Sequence, residues 1–213
     1  EDIKEHIQEK KAVWLEVELP PELKQLQSLI KSAFKNKVDD LKKIGFTKPP
    51  SLITKKDLII LQQQLRKNLV RKNPSTFYGI SLTASLIKID YALELLETQG
   101  LIQLKEFWEK LQQEETKAAK SILKLEEMQN AISLTYSLIG KDVKHPKLYM
   151  LRGIIRNELA RNPKAKFMIF ANYRNTINEI INLLSQEENV KPTKLIGQKS
   201  GLTQKEQIST IRD

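Results

Sequence analysis

Cysteine is absent from this 213-residue chain. That excludes disulfides, thiolate metal sites and a thiol nucleophile, and it suits a reducing compartment, so a cytoplasmic location is expected. Histidine is scarce, with His6 and His145 alone, which leaves no basis for a His-rich zinc site. Aromatic residues make up 6% of the chain, and glycine and proline number 7 and 8. So few turn-formers argue against an all-β chain. The glycines (45, 79, 100, 140, 153, 197 and 201) are too scattered for a G-x-x-x-x-G-K-[ST] phosphate loop. No apolar run approaches the roughly 20 residues that span a bilayer, so no membrane partner is expected. Glu1–Lys11 is polar throughout, unlike a secretory signal peptide.

What is abundant is positive charge. Thirty-six Lys and Arg against 26 Asp and Glu leave a formal net charge of +10, and 40% hydrophobic residues are enough for a real core. The charge is unevenly spread. Residues 31–72 carry +9 and residues 144–213 carry +7, while 1–30 and 73–143 carry −3 each. Clustered charge of this size is an electrostatic footprint for a polyphosphate partner, most often nucleic acid, with a solvated lysine-rich face as its rival.

Periodicity divides the chain. Ala12–Leu19 alternates apolar and polar residues, which predicts a strand before Pro20-Pro21. From Glu22 to Ile44, residues Leu23, Leu26, Ile30, Phe34, Val38 and Leu41 recur at helical steps, with Gly45 as terminator. Thr47–Ser51 reads as a loop, and Thr54 with Asp57 predicts a capped helix from Lys55 to about Lys72. Residues 75–98 predict a helix with Ile80, Ala84, Ile87, Tyr91 and Leu95 inside, and 101–111 and 116–138 predict more. Beyond Gly140 the order becomes α-β-α-β-α: a helix over Lys147–Ala160, a strand at Lys166–Ala171, a helix over Tyr173–Gln186 capped by Asn172, a strand at Thr193–Ile196, and a helix opened by Thr203. The expected fold class is therefore mainly α, a helical bundle followed by part of an α/β domain. An abrupt beginning and end suggest a piece of a larger protein.

Two sets of residues carry candidate chemistry. Basic helix faces (Lys31, Lys35, Lys37, Lys42 and Lys43; Lys55, Lys56, Arg66, Lys67, Arg71 and Lys72) could give salt-sensitive, sequence-independent phosphate contacts. Two loops after the later strands form the other set. Asn172, Tyr173, Arg174 and Thr176 open a helix, and Gln198, Lys199 and Ser200 lie between two glycines. Helix-start N–H groups with such side chains make a phosphate cradle, against the plainer reading of an N-cap with an exposed arginine. Tyr173 fits an inner wall or a nucleic-acid contact equally well. Trp14, Trp108, Phe77 and Tyr78 are expected to pack, although Phe77 and Tyr78 could wedge a junction. His145 before Pro146 reads as a capping or hinge residue.

The segments IFANYRNT (Ile169–Thr176), IGQKSGLTQKEQ (Ile196–Gln207) and HPKL (His145–Leu148) resemble the start of the second RecA-like domain of superfamily 2 helicases. Together with EDIKEHIQ (Glu1–Gln8), WLEVELP (Trp14–Pro20) and ALELLETQGL (Ala92–Leu101), they resemble the archaeal Hef branch, relatives of the FANCM fork-remodelling translocases. The resemblance implies a map: residues 1–20 as the tail of a first RecA-like domain, 21–143 as a helical insert, and 144–213 as the start of the second. It also implies an ATP-dependent motor on forked or branched DNA, with the rest of the helicase as partner and ATP and Mg²⁺ as cofactors of the parent. In that family the segment matching Asn172–Thr176 contacts the nucleic-acid backbone. The nucleotide-binding motifs would lie outside these residues, so no catalytic residue, metal site or cofactor is expected within them, and these residues alone should be inactive as an ATPase. Two other readings stand beside this one. In the first, the bundle is a protein-interaction module whose acidic block docks a partner, with a histone-fold protein left open by the FANCM resemblance. In the second, the chain is a complete enzyme such as a nuclease, which no carboxylate set supports.

Overall fold

Pro21 begins the first helix at a position where a missing N–H removes no intrahelical bond. The computed structural model of the protein describes residues 12–68 and 74–195. Among them run eight α-helices: α1 (Pro21–Lys42), α2 (Lys55–Lys67), α3 (Pro74–Thr98), α4 (Leu101–Gln113), α5 (Lys117–Leu123), α6 (Glu126–Gly140), α7 (Pro146–Arg161) and α8 (Arg174–Leu184). The stripe read in α1 is the buried one: Leu23, Leu26, Ile30, Val38 and Leu41 are fully enclosed, joined by Ala33, with Phe34 packed beside them. Gly45 (φ 90°) follows in the left-handed region that ends helices cheaply. Thr54 caps α2 reciprocally: its hydroxyl accepts from the Asp57 N–H at 3.2 Å, and its own N–H donates to the Asp57 carboxylate at 2.8 Å. Lys48 also grips that carboxylate at 2.6 Å, and together these bonds hold Asp57 well below the usual carboxylate range.

The single stripe expected in α3 is not the one buried. Of Ile80, Ala84, Ile87, Tyr91 and Leu95, only Leu95 is fully enclosed, while Gly79, Leu82, Thr83, Leu86, Ile89, Ala92 and Leu96 are buried as well. The reason is position. α1, α2, α4 and α5 all pack on α3, and a helix surrounded by neighbours is apolar around most of its girth, so no one stripe marks its inner face. Its buried hydroxyls are satisfied locally, Thr83 donating to the Gly79 carbonyl at 2.9 Å and Ser85 to the Ser81 carbonyl at 2.9 Å.

Two apolar cores result. The larger joins Leu23, Leu26 and Ile30 of α1 to Ile89, Leu95 and Leu96 of α3, Leu104, Trp108 and Leu111 of α4, Ile122 of α5 and Met128 of α6. Trp108 packs as expected, and its indole N–H donates to the Thr135 hydroxyl at 3.1 Å, which itself donates to the Ala131 carbonyl at 2.7 Å. The smaller core joins Val38 and Leu41 of α1, Leu58 of α2, and Leu82 and Leu86 of α3. Trp14, by contrast, is 93% exposed, so the packing expected of it is absent among the described residues.

Beyond the bundle, α7 and α8 pack together. Arg156 of α7 chelates the buried Glu187 carboxylate (Nη2–Oε1 2.9 Å), and Arg152 lies 3.9 Å from it. Ala12–Leu19, Lys166–Ala171 and Thr193–Leu195 do not form the strands expected of them, and no strand is present among the described residues. A strand exists only through a neighbour that shares its ladder hydrogen bonds, and among the described residues no such ladder is formed with these segments. Lys166–Ile169 and Leu195 instead line a groove of about 580 Å³ with Ile155, Leu159, Ile177, Ile180, Ile181 and Leu184. The helix at 203 and the start at 2–10 fall outside the described residues. No described helix is long and apolar enough to cross a membrane.

Candidate nucleic-acid interface

The basic residues sort into two groups once α3 is in place. α1 and α2 both run antiparallel to it, so the first half of α1 and the start of α2 meet its C-terminal half. There Asp90, Glu94 and Glu97 recur at helical spacing. Lys55 pairs with Glu94 at 2.9 Å and stands 5.3 Å from the Tyr91 ring centroid, and Lys31 lies 3.8 Å from Glu97. Gln27 donates to Glu97 at 2.6 Å, and Lys147 reaches the Glu97 carbonyl at 3.3 Å. Burial raises the Asp90 carboxyl above its ordinary value. Half-exposed pairs of this kind add little stability. Their consequence is that Lys31 and Lys55 spend much of their charge on the protein's own carboxylates. Lys42, Lys43 and Lys48 are likewise paired, with Asp39, Asp40 and Asp57, and Lys37 bridges to the Ser121 hydroxyl.

The outer face of α2 differs. Lys56, Ile60, Gln63 and Lys67 fall on one helical stripe, with Arg66 beside it, and all but Ile60 are polar. Lys56, Arg66 and Lys67 are exposed and make no ion pair among the described residues, and the same holds for Lys35 on α1. Arg66 and Lys67 close the helix, where cations also suit the negative end of the helix dipole. Arg71 and Lys72 lie outside the described residues.

The loop before α8 divides in two. Asn172 and Arg174 are exposed, but Asn172 is not the cap; Tyr173 occupies that position without a side-chain capping bond. Tyr173 turns onto the bundle, where its hydroxyl meets that of Tyr91 at 3.0 Å, and this bond with burial pushes the Tyr91 phenol up to about 12. Thr176 lies between the amides of Gln99 and Gln103, at 3.2 Å from each, and Asn175 donates to Glu106. Tyr173, Asn175 and Thr176 thus join α8 to α3 and α4, leaving Asn172 and Arg174 as the solvent-facing members of the segment. Gln198, Lys199 and Ser200 lie outside the described residues.

His145 seats α7 on the bundle. Its Nδ1 accepts from the Lys147 N–H at 3.3 Å, capping the helix, while Nε2 is buried and has no well-formed hydrogen bond among the described residues. Gly100 (φ 97°) permits this contact, since a Cβ there would lie 3.3 Å from the His145 Cβ. Burial, with nearby Lys147, lowers the imidazole pKa to about 4, the Glu97 and Leu96 carbonyls pulling weakly the other way. Among the described residues no group of three His, Asp or Glu side chains could hold a metal ion.

A helical bundle with an outward cationic face on α2 thus precedes two helices and a groove. Residues 22–143 match the family described as "Putative ATP-dependent RNA helicase, helical bundle". The chain belongs to this helicase family. Over 99% of its length it is 35% identical to an ATP-dependent RNA helicase described as putative from Methanocaldococcus jannaschii, of which it spans 27%. Over 62% of its length it is 30% identical to the Arabidopsis thaliana protein named DEAD-box ATP-dependent RNA helicase FANCM, spanning 10% of that protein. The crystal structure of the Pyrococcus furiosus Hef helicase domain superposes with a TM-score of 0.80 at 29% identity, covering 99% of this chain and 44% of that one. This helicase segment is therefore Hef- and FANCM-like, and it spans about a quarter of the M. jannaschii relative. The internally paired lysines and the Tyr91–Tyr173 contact depend on helix placement and have no signature in the order of residues.

Proposed function

We propose that this chain supplies the nucleic-acid-gripping part of an ATP-dependent helicase or translocase acting on forked or branched DNA. One observation carries the reading: Lys56, Arg66 and Lys67 stand on the outer face of α2 with no acidic partner among the described residues, while most neighbouring cations are paired internally. Unneutralised Lys and Arg on one face bind phosphates without regard to sequence, which suits a substrate defined by its shape. Lys35, Asn172 and Arg174 would extend the contact. The motor domains of the parent would be the partners of this segment, and they would bring the residues for ATP and Mg²⁺. On this reading the chain alone binds nucleic acid and does not hydrolyse ATP.

Titration of a fluorescent DNA fork with the purified chain tests this. Affinity should fall steeply between roughly 50 and 200 mM salt, because each phosphate neutralised releases counterions. Binding that ignores salt would overturn the phosphate-contact reading. A fork-shaped RNA run alongside decides between DNA and the RNA named in the relatives. Capture of a partner protein with no nucleic-acid binding would favour the interaction-module reading instead.

A further inference from the structure

Phe77 and Tyr78 do not pack as their sequence context suggests: Phe77 is 55% exposed and Tyr78 47%. Their neighbours Thr76 and Gly79 are the buried residues of this turn, which leaves the two rings on the outer side of α3. Gly79 places them at a junction of helix ends. A Cβ there would lie 2.9 Å from Leu65 Cδ1 and 3.0 Å from Ile44 Cδ1, so the missing side chain lets α3 close onto the last turn of α2 and the end of α1. Arg66 and Lys67 follow directly after Leu65, exposed and without an ion pair among the described residues. Lys43 is within electrostatic reach of the Tyr78 hydroxyl, although its ammonium is held by Asp40 at 2.6 Å.

An isolated exposed aromatic residue says little. Two in succession where α3 packs on the turn of α2 that carries two exposed cations are a different feature. Ring faces attract the faces of bases, and a guanidinium and an ammonium at the same helix junction attract the phosphates of the same strand. Duplex bases are already stacked on one another and cannot reach such rings, whereas unpaired bases can. We propose that Phe77 and Tyr78 form a stacking platform for unpaired nucleotides, with Arg66 and Lys67 holding the strand's phosphates. This rests on the nucleic-acid reading above and adds to it the state of the strand held at this corner.

The test uses the whole 213-residue chain, a labelled single-stranded oligonucleotide of roughly 12 bases, and a blunt duplex of the same sequence. The Phe77→Ala, Tyr78→Ala double variant should bind the single strand about tenfold more weakly, within the range set by losing one or two stacked bases. It should bind the blunt duplex within twofold of the unaltered chain. Tyr78→Phe, which keeps the ring, should retain single-strand affinity. Both rings are exposed, so an unchanged far-ultraviolet circular dichroism spectrum is expected. Unaltered single-strand binding by the double variant, or equal losses on both probes, would overturn the platform while leaving the nucleic-acid reading intact. Failure of the unaltered chain to bind either probe would overturn both.

Discussion

The two ends of α3 treat charge in opposite ways. At its C-terminal half Glu94 and Glu97 meet Lys55 and Lys31, and a neutral His145 is sealed beneath Gly100. At its N-terminal end Arg66 and Lys67 are unpaired and two rings face solvent. Both ends are rich in basic residues by sequence. The difference lies in which carboxylates the fold brings within reach, and it teaches that net charge over a segment overstates what is free to bind a partner.

The largest effect expected from disturbing this contrast is at the sealed end. His145 is neutral when folded, with a pKa of about 4 against 6.5 in the open. The unfolded chain takes up the proton first, so the stability from burying a neutral ring is fully present above about pH 6.5 and is lost as pH falls toward 4. The loss amounts to about 3 kcal/mol. Glu179, raised by burial in the same cavity, acts in the opposite sense. Urea unfolding of the parent and of His145→Asn, which keeps a capping side chain, should therefore differ in slope across this window. Equal slopes would show that the ring is not sealed.

At the open end, Gly79→Val should cost about 1–3 kcal/mol in the same assay by forcing Leu65 and Ile44 apart. Gly79→Ala should be close to neutral, because the contacting methyls end flexible side chains and alanine favours the helix. Charge reversal separates the two ends of α3 directly. Arg66→Glu with Lys67→Glu should weaken fork binding at least tenfold, roughly 1.4 kcal/mol. Lys31→Glu with Lys55→Glu should change it less than threefold, since those charges are already offset. Equal losses would erase the distinction between the ends. The smallest effect is at the contact with α8. Tyr91→Phe removes the bond to Tyr173 and should cost about 0.5–1.5 kcal/mol, read as faster amide exchange in the first turn of α8.

Much of the fold was legible in the residues because its signals are local. The α1 stripe, the Thr54–Asp57 capping box, the breaks at Gly45 and Gly100 and the cap at His145 all follow from spacing within a few residues. The strands and the α3 stripe differ from what spacing alone predicts, because each depends on neighbours. Lys166–Ala171 has the composition of a buried strand, but among the described residues no second strand completes a ladder. The interface was legible only as a pool of cations. Lys56, Arg66 and Lys67 stand out from Lys31 and Lys55 once α3 presents its carboxylates, and Tyr173 and Thr176 leave the candidate surface once α8 docks on α3 and α4.

By itself the sequence determined that this protein is a helical bundle with excess positive charge and no thiol chemistry, because helix periodicity, capping and composition act over short range. The tertiary structure alone decided which of those charges face outward unpaired, and that Phe77 and Tyr78 are left in solvent where α3 meets α2. Pairing and exposure are properties of distances between residues far apart in the chain, and those distances exist only after the helices pack.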